Sequence, residues 1–228
     1  MMKSFWNSSL EISRRSVISA VLVFGLCASA VAGEWKPLFE KDLSNADFKA
    51  GVWSINDQGI ISATQDEAIW TNDKFENFEL SLEFNTDPGT NSGVVVFCSD
   101  KKNWIPGSVE IQIAAATAPD VAPTVHHCGA IYGSRAPDKM VVKAPGEWNK
   151  MLIRCKGQVV SVWINDEKVN EADLSLYTSN KTNPDGTSVP PWLTVPKAEI
   201  KPIGFIGFQG KHGRANIYFR EIKIRSLD

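Results

Sequence analysis

Short segments that alternate apolar and polar residues recur along most of this 228-residue chain, and turn residues separate them. In Phe78–Phe84 every second residue is apolar, which gives an extended strand one apolar and one polar face. Val109–Ile113 alternates in the same way, and Gly93–Phe97 is the continuous apolar run of a buried strand. No segment of about ten residues or more has a helical period. The pattern predicts an all-β domain in which two antiparallel sheets form a sandwich or jelly roll.

Three pairs of neighbouring runs are interpreted as hairpins, because each pair is joined by a short turn. The runs are Val52–Ile55 with Gly59–Ala63, Met151–Cys155 with Val159–Ile164, and Phe205–Gln209 with Ile217–Ile224. In the last pair the turn carries His212. Residues 33–50 are interpreted as the first strand and its turn.

Two segments differ from this pattern. Leu174–Ile200 contains four prolines, and a long Pro-rich excursion from a compact domain is typical of a functional lid or a partly mobile loop. An insertion without a function is an equally good interpretation. Residues 1–32 combine a basic start with the apolar run Ser16–Ala32, which ends in small residues and indicates a secretory signal peptide. The pair Arg14-Arg15 resembles a twin-arginine signal, and an uncleaved anchor is the competing interpretation.

The sequence therefore predicts an exported protein, periplasmic or extracellular, with one domain over residues 33–228 and no membrane attachment after cleavage. The formal net charge of −2 gives no basic footprint for nucleic acid, so we do not expect that partner. The oligomeric state is left open. Outside the signal peptide the chain has three cysteines, Cys98, Cys128 and Cys155, which allow at most one disulfide. No CxxC spacing indicates a structural zinc site.

Strand alternation selects candidate ligand-binding residues. Glu110 and Gln112 project from one face of their strand while the aliphatic residues project from the other. If the aliphatic residues fill the core, the polar pair lies on the outer face of its sheet, where a jelly roll often forms a groove. The same alternation places Phe205, Gly207 and Gln209 on one face. Aromatic surface beside amide and carboxylate groups suits a sugar ring, although plain solvent exposure is an equally good interpretation.

Histidines are few. His126-His127-Cys128 is the densest cluster of potential metal ligands, but adjacent residues of a strand point in opposite directions, so at most one of them faces a given site. His212, at the crown of the predicted last hairpin, is the remaining histidine. No GxSxG motif, phosphate-binding loop or dinucleotide fingerprint occurs in the chain.

Six short motifs, in order, resemble those of the 3-keto-disaccharide hydrolase domain family. They are Leu38–Leu43 (LFEKDL), Phe78–Leu80 with Asn91–Gly93 (FEL, NSG), Glu110–Ile113 (EIQI), Gly129–Tyr132 (GAIY), Pro145–Asn149 (PGEWN), and the closing Ile206–Gln209, His212–Gly213 and Phe219–Ile222. The resemblance covers about Leu38 to Leu227. It implies an exported bacterial protein with a concanavalin A-like or laminin G-like jelly roll.

The resemblance also implies an activity, the cleavage of 3-keto-glycosides such as 3-keto-disaccharides. A ketone at C3 acidifies the hydrogen at C2, so that a base can remove it, the group at C1 is expelled, and water then adds. Such a reaction needs a base, a polarising group or metal at the ketone oxygen, and an acid at the leaving oxygen. It does not need the facing pair of acids of ordinary glycosidases.

By position, the resemblance implies that Glu110 is the base or a metal ligand, with Gln112 beside it. It implies that His212 is the ketone polariser or a metal ligand, with Gln209 bound to a hydroxyl. The divalent metal, of unassigned identity, would thus share Glu110 and His212. The further candidates for substrate binding are Asn91, Tyr132, Arg220 and His127.

Other interpretations stay open. Many family members carry an Asp where this chain has Ala114–Ala116, which removes one candidate ligand or base. Tyr132 could be a core tyrosine, and Arg220 could be a strand arginine paired with a nearby acid. A non-catalytic carbohydrate-binding module of the same fold is the alternative to an enzyme, and a domain that only docks partners at the cell surface is the third possibility.

Overall fold

The structure, a computed structural model, describes residues 33–118 and 120–227, so the predicted signal peptide lies outside the described residues. The described chain forms thirteen strands and two 3-10 helices, Leu174–Leu176 and Lys197–Glu199. The strands are β1 Lys36–Pro37, β2 Ala46–Asp47, β3 Trp53–Ile55, β4 Ile61–Ala63, β5 Ile69–Phe75, β6 Phe78–Thr86, β7 Asn91–Cys98, β8 Val109–Ala114, β9 Asn149–Lys156, β10 Val159–Ile164, β11 Glu167–Asp173, β12 Gly204–Phe208 and β13 Ile217–Ser226. None of the helices within the described residues is long and apolar enough to cross a membrane.

Two antiparallel sheets make up the fold, which confirms the predicted all-β sandwich. Seven strands of the eight-stranded sheet follow the order β11-β10-β9-β6-β13-β4-β3, and β1 pairs with β13. The five-stranded sheet has the order β2-β5-β12-β7-β8. We call the outer surface of the five-stranded sheet the site face, and the outer surface of the eight-stranded sheet the opposite face.

The core fills the space between the two inner surfaces. Every second residue of β6, from Phe78 to Phe84, is buried there, as the alternation predicts. The aliphatic residues of β8 are buried on the facing sheet. The rings of Phe208 in β12 and Phe219 in β13 meet edge to face at 5.1 Å, and thus join the two sheets. Because these side chains occupy the inner surfaces, their polar neighbours in β6 and β8 must project outward.

The predicted hairpins β3–β4 and β9–β10 are confirmed, but the predicted hairpin of β12 and β13 is wrong. β12 pairs with β5 and β7 in one sheet, whereas β13 pairs with β6, β4 and β1 in the other. The connection between them bonds to neighbouring segments: Lys211 N–H donates to the Gln65 carbonyl at 3.0 Å, and His212 forms an isolated bridge with Asn91. Alternation identified both strands, but it carries no information about which sheet each one joins.

The sequence analysis did not predict two of the longer strands, β5 and β11. β5 begins with three buried residues and continues with polar ones, and the polar strand β11 lies at the edge of its sheet. Neither has the regular alternation that the sequence analysis required. Residues 33–50 contain two short strands, β1 and β2, which belong to different sheets.

The Pro-rich segment Leu174–Ile200 packs against the start of β8 and against the connection that follows β8. Pro190 and Leu193 lie so close to Gly133 that a Cβ there would meet them at 2.9 and 2.6 Å. Near the end of the segment, Lys197 reaches the carbonyl of Ser108. The three described cysteines are buried and free, so no disulfide joins them.

Candidate functional site

Strand pairing places Glu110 in a row of residues that runs across the site face. Glu110 of β8 is the partner of Val95 in β7, which is the partner of Gly207 in β12. Gly207 in turn pairs with Trp70 of β5. Because paired residues point to the same side of a sheet, one row carries a carboxylate at one end and an indole at the other.

A second row brings together the predicted amide residues. Gln112 pairs with Gly93, and the backbone N–H of Gln209 donates to the Gly93 carbonyl at 2.9 Å. Gln112 Nε2 donates to Asn91 Oδ1 at 2.7 Å. The other amide atom, Gln112 Oε1, is buried and has no hydrogen-bond partner within the described residues. Glu110, Gln112, Gln209 and Asn91 therefore share the site face.

Two glycines make room for the larger side chains of these rows. A Cβ on Gly93 would lie 2.3 Å from Glu110 Oε1, so the carboxylate leans over Gly93 toward the row of Gln209. A Cβ on Gly207 would lie 2.4 Å from the Trp70 ring, so the indole covers this glycine. Any other residue at either position would displace the side chain that rests on it.

The Glu110 carboxylate has an unusual electrostatic environment. It is partly buried, and no donor or cation in the described part of the chain lies within hydrogen-bond or ion-pair distance of it. Burial raises its pKa to about 7; the charge of Lys197 opposes this rise and the charge of Asp66 adds to it. A carboxylate with a pKa near 7 can accept a proton at neutral pH and can also return it.

Lys197 is a residue that sequence reasoning missed. Its side chain is buried, and Nζ donates to the Ser108 carbonyl at 2.8 Å. Burial lowers its pKa to about 8, while the negative charge of Glu110 acts in the opposite direction. Lys197 lies in the Pro-rich segment, which has no strand alternation from which the direction of a side chain could be predicted. The nearby apolar residues Val195 and Ile200 are the sequence signal of its burial.

His212 contacts an acid other than Glu110. Its Nδ1 lies 2.6 Å from Asp66 Oδ2, and both side chains are about half exposed. Because a carboxylate can only accept, Nδ1 donates, and Nε2 is left as the nitrogen that can meet a ligand. Asp66 lies in the β4–β5 connection, and nothing in its local sequence indicates that it meets His212.

The described residues do not fit a metal ion held by protein side chains alone. Among residues 33–118 and 120–227 no group of three or more His, Cys, Asp or Glu side chains converges. Shared coordination of a metal ion by Glu110 and His212 stays a prediction.

Tyr132 lies on the side of Glu110 that the Pro-rich segment covers. Its backbone N–H donates to the Glu110 carbonyl at 2.9 Å. Burial raises the pKa of Tyr132, the charge of Glu110 raises it further, and the neighbouring Trp192 side chain lowers it. Trp192 is 52 % exposed, so it offers an indole surface to solvent close to this tyrosine. The segment thus supplies Lys197, whose charge acts on Glu110, and Trp192, which lies beside Tyr132.

Two predicted binding residues are engaged elsewhere. The Thr124 backbone N–H donates to His127 Nδ1 at 2.9 Å, while it is His126 whose ring packs on Tyr132, at 5.3 Å. Arg220 lies on the opposite face. Its Nε donates to Glu83 Oε2 at 2.7 Å, and its guanidinium lies 4.0 Å from the centre of the Trp148 ring. The structure therefore supports the interpretation of Arg220 as a paired strand arginine.

An open depression continues the site face beyond Trp70. It has a volume of about 770 Å³, which is within the usual range of small-ligand sites. Trp70 and Phe205 line it, and the Trp104 ring packs edge to face on Trp70 at 6.1 Å. Lys101 Nζ lies 4.3 Å from the centre of the Phe205 ring. Aromatic surface and charged groups alternate here, as a ligand with apolar faces and hydroxyl groups requires.

Comparison with known proteins agrees with this architecture. The sequence profile of the 3-keto-alpha-glucoside-1,2-lyase-like domain matches residues 34–225. The crystal structure of a presumed glycosyl hydrolase from Parabacteroides distasonis ATCC 8503 is 55 % identical, with a TM-score of 0.81, over 85 % of this chain and 100 % of that one.

More distant structures share the fold. A second presumed glycosyl hydrolase from the same organism is 23 % identical, with a TM-score of 0.70, over 86 % of this chain and 94 % of that one. The carbohydrate-binding module CBM66 from Bacillus subtilis is 11 % identical, with a TM-score of 0.51, over 82 % of this chain and 99 % of that one. Among proteins of curated function, none matches this sequence.

Proposed function

Because the chain belongs to the family of 3-keto-alpha-glucoside-1,2-lyase-like domains, we propose that it cleaves the glycosidic bond of 3-keto-glycosides such as 3-keto-disaccharides. Family membership supports a glycosyl hydrolase-like or carbohydrate-binding function. The observation that carries the finer proposal is Glu110, an unpaired carboxylate with a pKa raised to about 7 on the site face. Gln209 lies in the neighbouring row of the same face, and Trp192 offers an exposed indole beside Tyr132.

In the proposed first step, Glu110 takes the proton from C2 of the keto-sugar. The C2–H electron pair moves toward the C3 carbonyl and forms an enolate. The enolate then re-forms the ketone, a double bond forms between C1 and C2, and the C1–O bond breaks. The leaving oxygen is protonated, and Glu110, now carrying the C2 proton, is a donor of suitable pKa. Addition of water across C1 and C2 returns a proton to C2 and completes a net hydrolysis.

Other residues of the site bind and orient. His212, held by Asp66 through Nδ1, presents Nε2 as a donor for the ketone oxygen when it is protonated there. Gln209, whose backbone is fixed to Gly93, binds a hydroxyl group. Asn91 and Gln112 form an amide pair that borders the same surface.

Turnover of a defined substrate tests the proposal. The purified protein is incubated with a 3-keto-disaccharide, with and without added divalent metal, and release of the monosaccharides is measured. We expect release by the wild type and a strong loss in Glu110→Gln. No release under either condition would overturn the proposal, and full turnover by Glu110→Gln would overturn the role of the base.

A non-catalytic carbohydrate-binding module is the second candidate, favoured by the aromatic depression beside Trp70. It predicts binding of the sugar in a calorimeter with no change in the ligand. Binding without release of products therefore distinguishes this function from the enzyme, and the absence of both indicates a surface that docks other partners.

We also propose that the protein is exported, on the basis of the signal-peptide pattern in residues 1–32. N-terminal sequencing of the protein recovered from a cell fractionation checks this proposal. Cleavage after Ala30 or Ala32 is expected, and an intact N-terminus in the cytoplasmic fraction would contradict it.

A further inference from the structure

The row of paired residues that contains Glu110 continues beyond Trp70. Asp47 of β2 is the partner of Trp70 in β5, so the row crosses all five strands and ends in the aromatic depression, which Asp47 and Trp70 both line. Neighbouring strands lie about 4.8 Å apart, so β8 and β5, with two strands between them, are about 14 Å apart, roughly the reach of two or three linked sugar rings. A short oligosaccharide bound at Glu110 is therefore long enough to reach the depression.

The depression also adjoins the candidate ketone polariser. The β4–β5 connection supplies Asp66, whose Oδ2 lies 2.6 Å from His212 Nδ1. The next two residues of this connection, Glu67 and Ala68, line the depression. The chain that follows β12 packs on the same connection, because a Cβ on Gly210 would lie 2.5 Å from the Glu67 carbonyl oxygen. One short segment of backbone thus borders both His212 and the depression.

The two ends of the row have different neighbours. β8 is the last strand of its sheet, and the segment that contains Tyr132 lies along its edge: Tyr132 N–H donates to the Glu110 carbonyl at 2.9 Å, and Ile131 bridges to Ile111. Trp192 of the Pro-rich segment lies next to the Tyr132 side chain. In the other direction the row leads into the open depression. The longer part of a ligand held at Glu110 therefore has its room on the side of the depression.

Irregular strand pairing shapes the sheet around Phe205, which lines the depression. Between Phe205 and Gly207 the register of β12 shifts against both of its neighbours, β5 and β7. Phe97, within the shifted stretch of β7, has a φ of 59°, which residues other than glycine rarely adopt. A β-bulge bends its strand and changes the direction of side chains, and bulges are frequent next to active sites. The depression is thus built into the backbone of the sheet.

The groups that line the depression suit an uncharged sugar. Lys101 Nζ lies 4.3 Å from the centre of the Phe205 ring and 2.9 Å from Asp47 Oδ2, and Lys49 pairs with Glu67 at 3.1 Å. The other charged residues of the lining are one lysine and one aspartate, so among the described residues neither sign is in excess. Such a lining does not select a phosphate or a uronic acid. It does offer an aromatic ring for the apolar face of a sugar, with donors and acceptors for its hydroxyl groups.

We propose that the depression is the subsite for the leaving group of the substrate, and that this leaving group is an uncharged sugar. The inference rests on the proposed function, which places the keto-sugar ring at Glu110. In a 3-keto-disaccharide the keto-sugar has one neighbouring sugar, which is attached through C1. The ring that reaches the depression is therefore the ring that departs, and the site selects glycosides of sugars over glycosides of small alcohols.

Binding of two ligands tests the inference without turnover. A 3-keto-disaccharide, and the methyl 3-keto-glycoside that lacks its second ring, are each titrated into Glu110→Gln protein in a calorimeter. We expect the disaccharide to bind about tenfold more tightly, and Phe205→Ala on this background to reduce the ratio of affinities to about two. Trp148→Ala is the control, because it removes an indole that lies against Arg220 on the opposite face, and it should preserve the ratio. Equal affinities for the two ligands before Phe205 is replaced would overturn the inference.

A second variant keeps the test decisive if Phe205→Ala does not fold. Lys101→Met keeps an apolar side chain against the Phe205 ring but removes the donors for hydroxyl groups, so the ratio of affinities should fall about threefold. Lys156→Met is its control, since Lys156 is an exposed lysine at the end of β9 in the other sheet. An unchanged ratio in folded Phe205→Ala or in Lys101→Met would overturn the inference.

The charge of the leaving sugar is tested with the same disaccharide carrying a uronic acid as its second ring. It should bind no more tightly than the neutral ligand, and binding about tenfold tighter would overturn the assignment of an uncharged sugar.

Turnover separates this inference from the proposed function. A preference for the disaccharide in a protein that releases no product from it would uphold the subsite and overturn the proposed cleavage. Release of product by the wild type, with equal affinities for the two ligands in Glu110→Gln, would uphold the cleavage and overturn the subsite. Absence of binding by both ligands, together with absence of release, would overturn both.

Discussion

Two glutamates, one on each outer surface of the sandwich, show how differently the same side chain behaves under burial. Glu79, in the middle strand β6 of the opposite face, is 1 % exposed and receives hydrogen bonds of 2.6 Å from Nε of both Arg154 and Arg225. Burial pushes its pKa upward, but the two arginines outweigh that effect and the pKa is lowered. Among residues 33–118 and 120–227 Glu110 has no such partner, and its pKa is raised to about 7.

The residues around the two glutamates differ as well. On the opposite face each arginine is held against an indole, Arg154 over Trp163 at 5.3 Å and Arg225 over Trp35 at 4.6 Å. On the site face the glutamate rests on a glycine, Gly93. A buried carboxylate that is fully paired stabilises the fold, whereas an unpaired one stays available for proton transfer. The partners of a carboxylate, more than its burial, thus distinguish a structural role from a chemical one.

The largest expected effect separates the two glutamates by turnover. Glu110→Gln should reduce kcat on a 3-keto-disaccharide by about a hundredfold to ten-thousandfold, because the amide cannot accept the C2 proton. Glu79→Gln should keep kcat within about twofold, since Glu79 lies on the other sheet surface. Both variants are assayed as folded protein at equal concentration. Equal losses in the two variants would remove the distinction between the faces.

Substitution of Glu79, which should leave turnover nearly unchanged, is expected to lower the stability of the fold. Glu79→Gln is expected to lower the free energy of unfolding by about 2–4 kcal/mol at pH 7, because it leaves two arginines without their buried acceptor. Since the pKa of Glu79 is lowered in the fold, its stabilisation is present above the unfolded pKa of about 4.5 and is lost as the pH falls through the lowered folded value. Urea unfolding of the wild type and of Glu79→Gln, at pH 7 and at pH 3, measures the difference in their free energies of unfolding. A difference that does not shrink at pH 3 would contradict this account.

Strand alternation was enough to predict which polar residues share a surface. The period of two is local, so Glu110 with Gln112, and Phe205 with Gln209, could be assigned to one face of a strand from a few residues. Burial of the intervening aliphatic residues then fixed that face as the outer one. The fold class follows from the same signal repeated along the chain.

Contacts between distant segments could not be predicted in this way. The pairing of β12 and β13 with different sheets depends on which strands compete for each edge, and that is not encoded in either run. Asp66 meets His212 across 146 residues of sequence, and Lys197 reaches Ser108 across 89. Each contact arises only once the sheets have assembled, so no local spacing indicates it.

The pH dependence of stability distinguishes the two glutamates further. Because the pKa of Glu110 is raised above its unfolded value of about 4.5 to about 7, the folded state binds more protons than the unfolded state between these values. The contribution of Glu110 to stability therefore falls as the pH rises from 4.5 to 7. Glu110→Gln, which stays neutral, should be more stable than the wild type by about 1–3 kcal/mol at pH 8 and equal to it at pH 4.5. A variant destabilised at both pH values would show that the carboxylate is paired in solution.

The smallest effect concerns the exposed tryptophans of the two faces. Trp192 is 52 % exposed beside Tyr132, and Trp35 is 39 % exposed on the opposite face, where it stacks on Arg225. An indole that contacts a sugar ring contributes about 0.5–1.5 kcal/mol, so Trp192→Ala should weaken binding of the keto-sugar by a factor of about 2 to 13. Trp35→Ala is the matched control, because it removes another exposed indole without touching the site face. Calorimetry on the Glu110→Gln background measures binding without turnover. A larger loss of affinity in Trp35→Ala than in Trp192→Ala would place the ligand on the opposite face. The sugar would then bind far from Glu110, and the proposed role of this unpaired glutamate on the site face would be wrong.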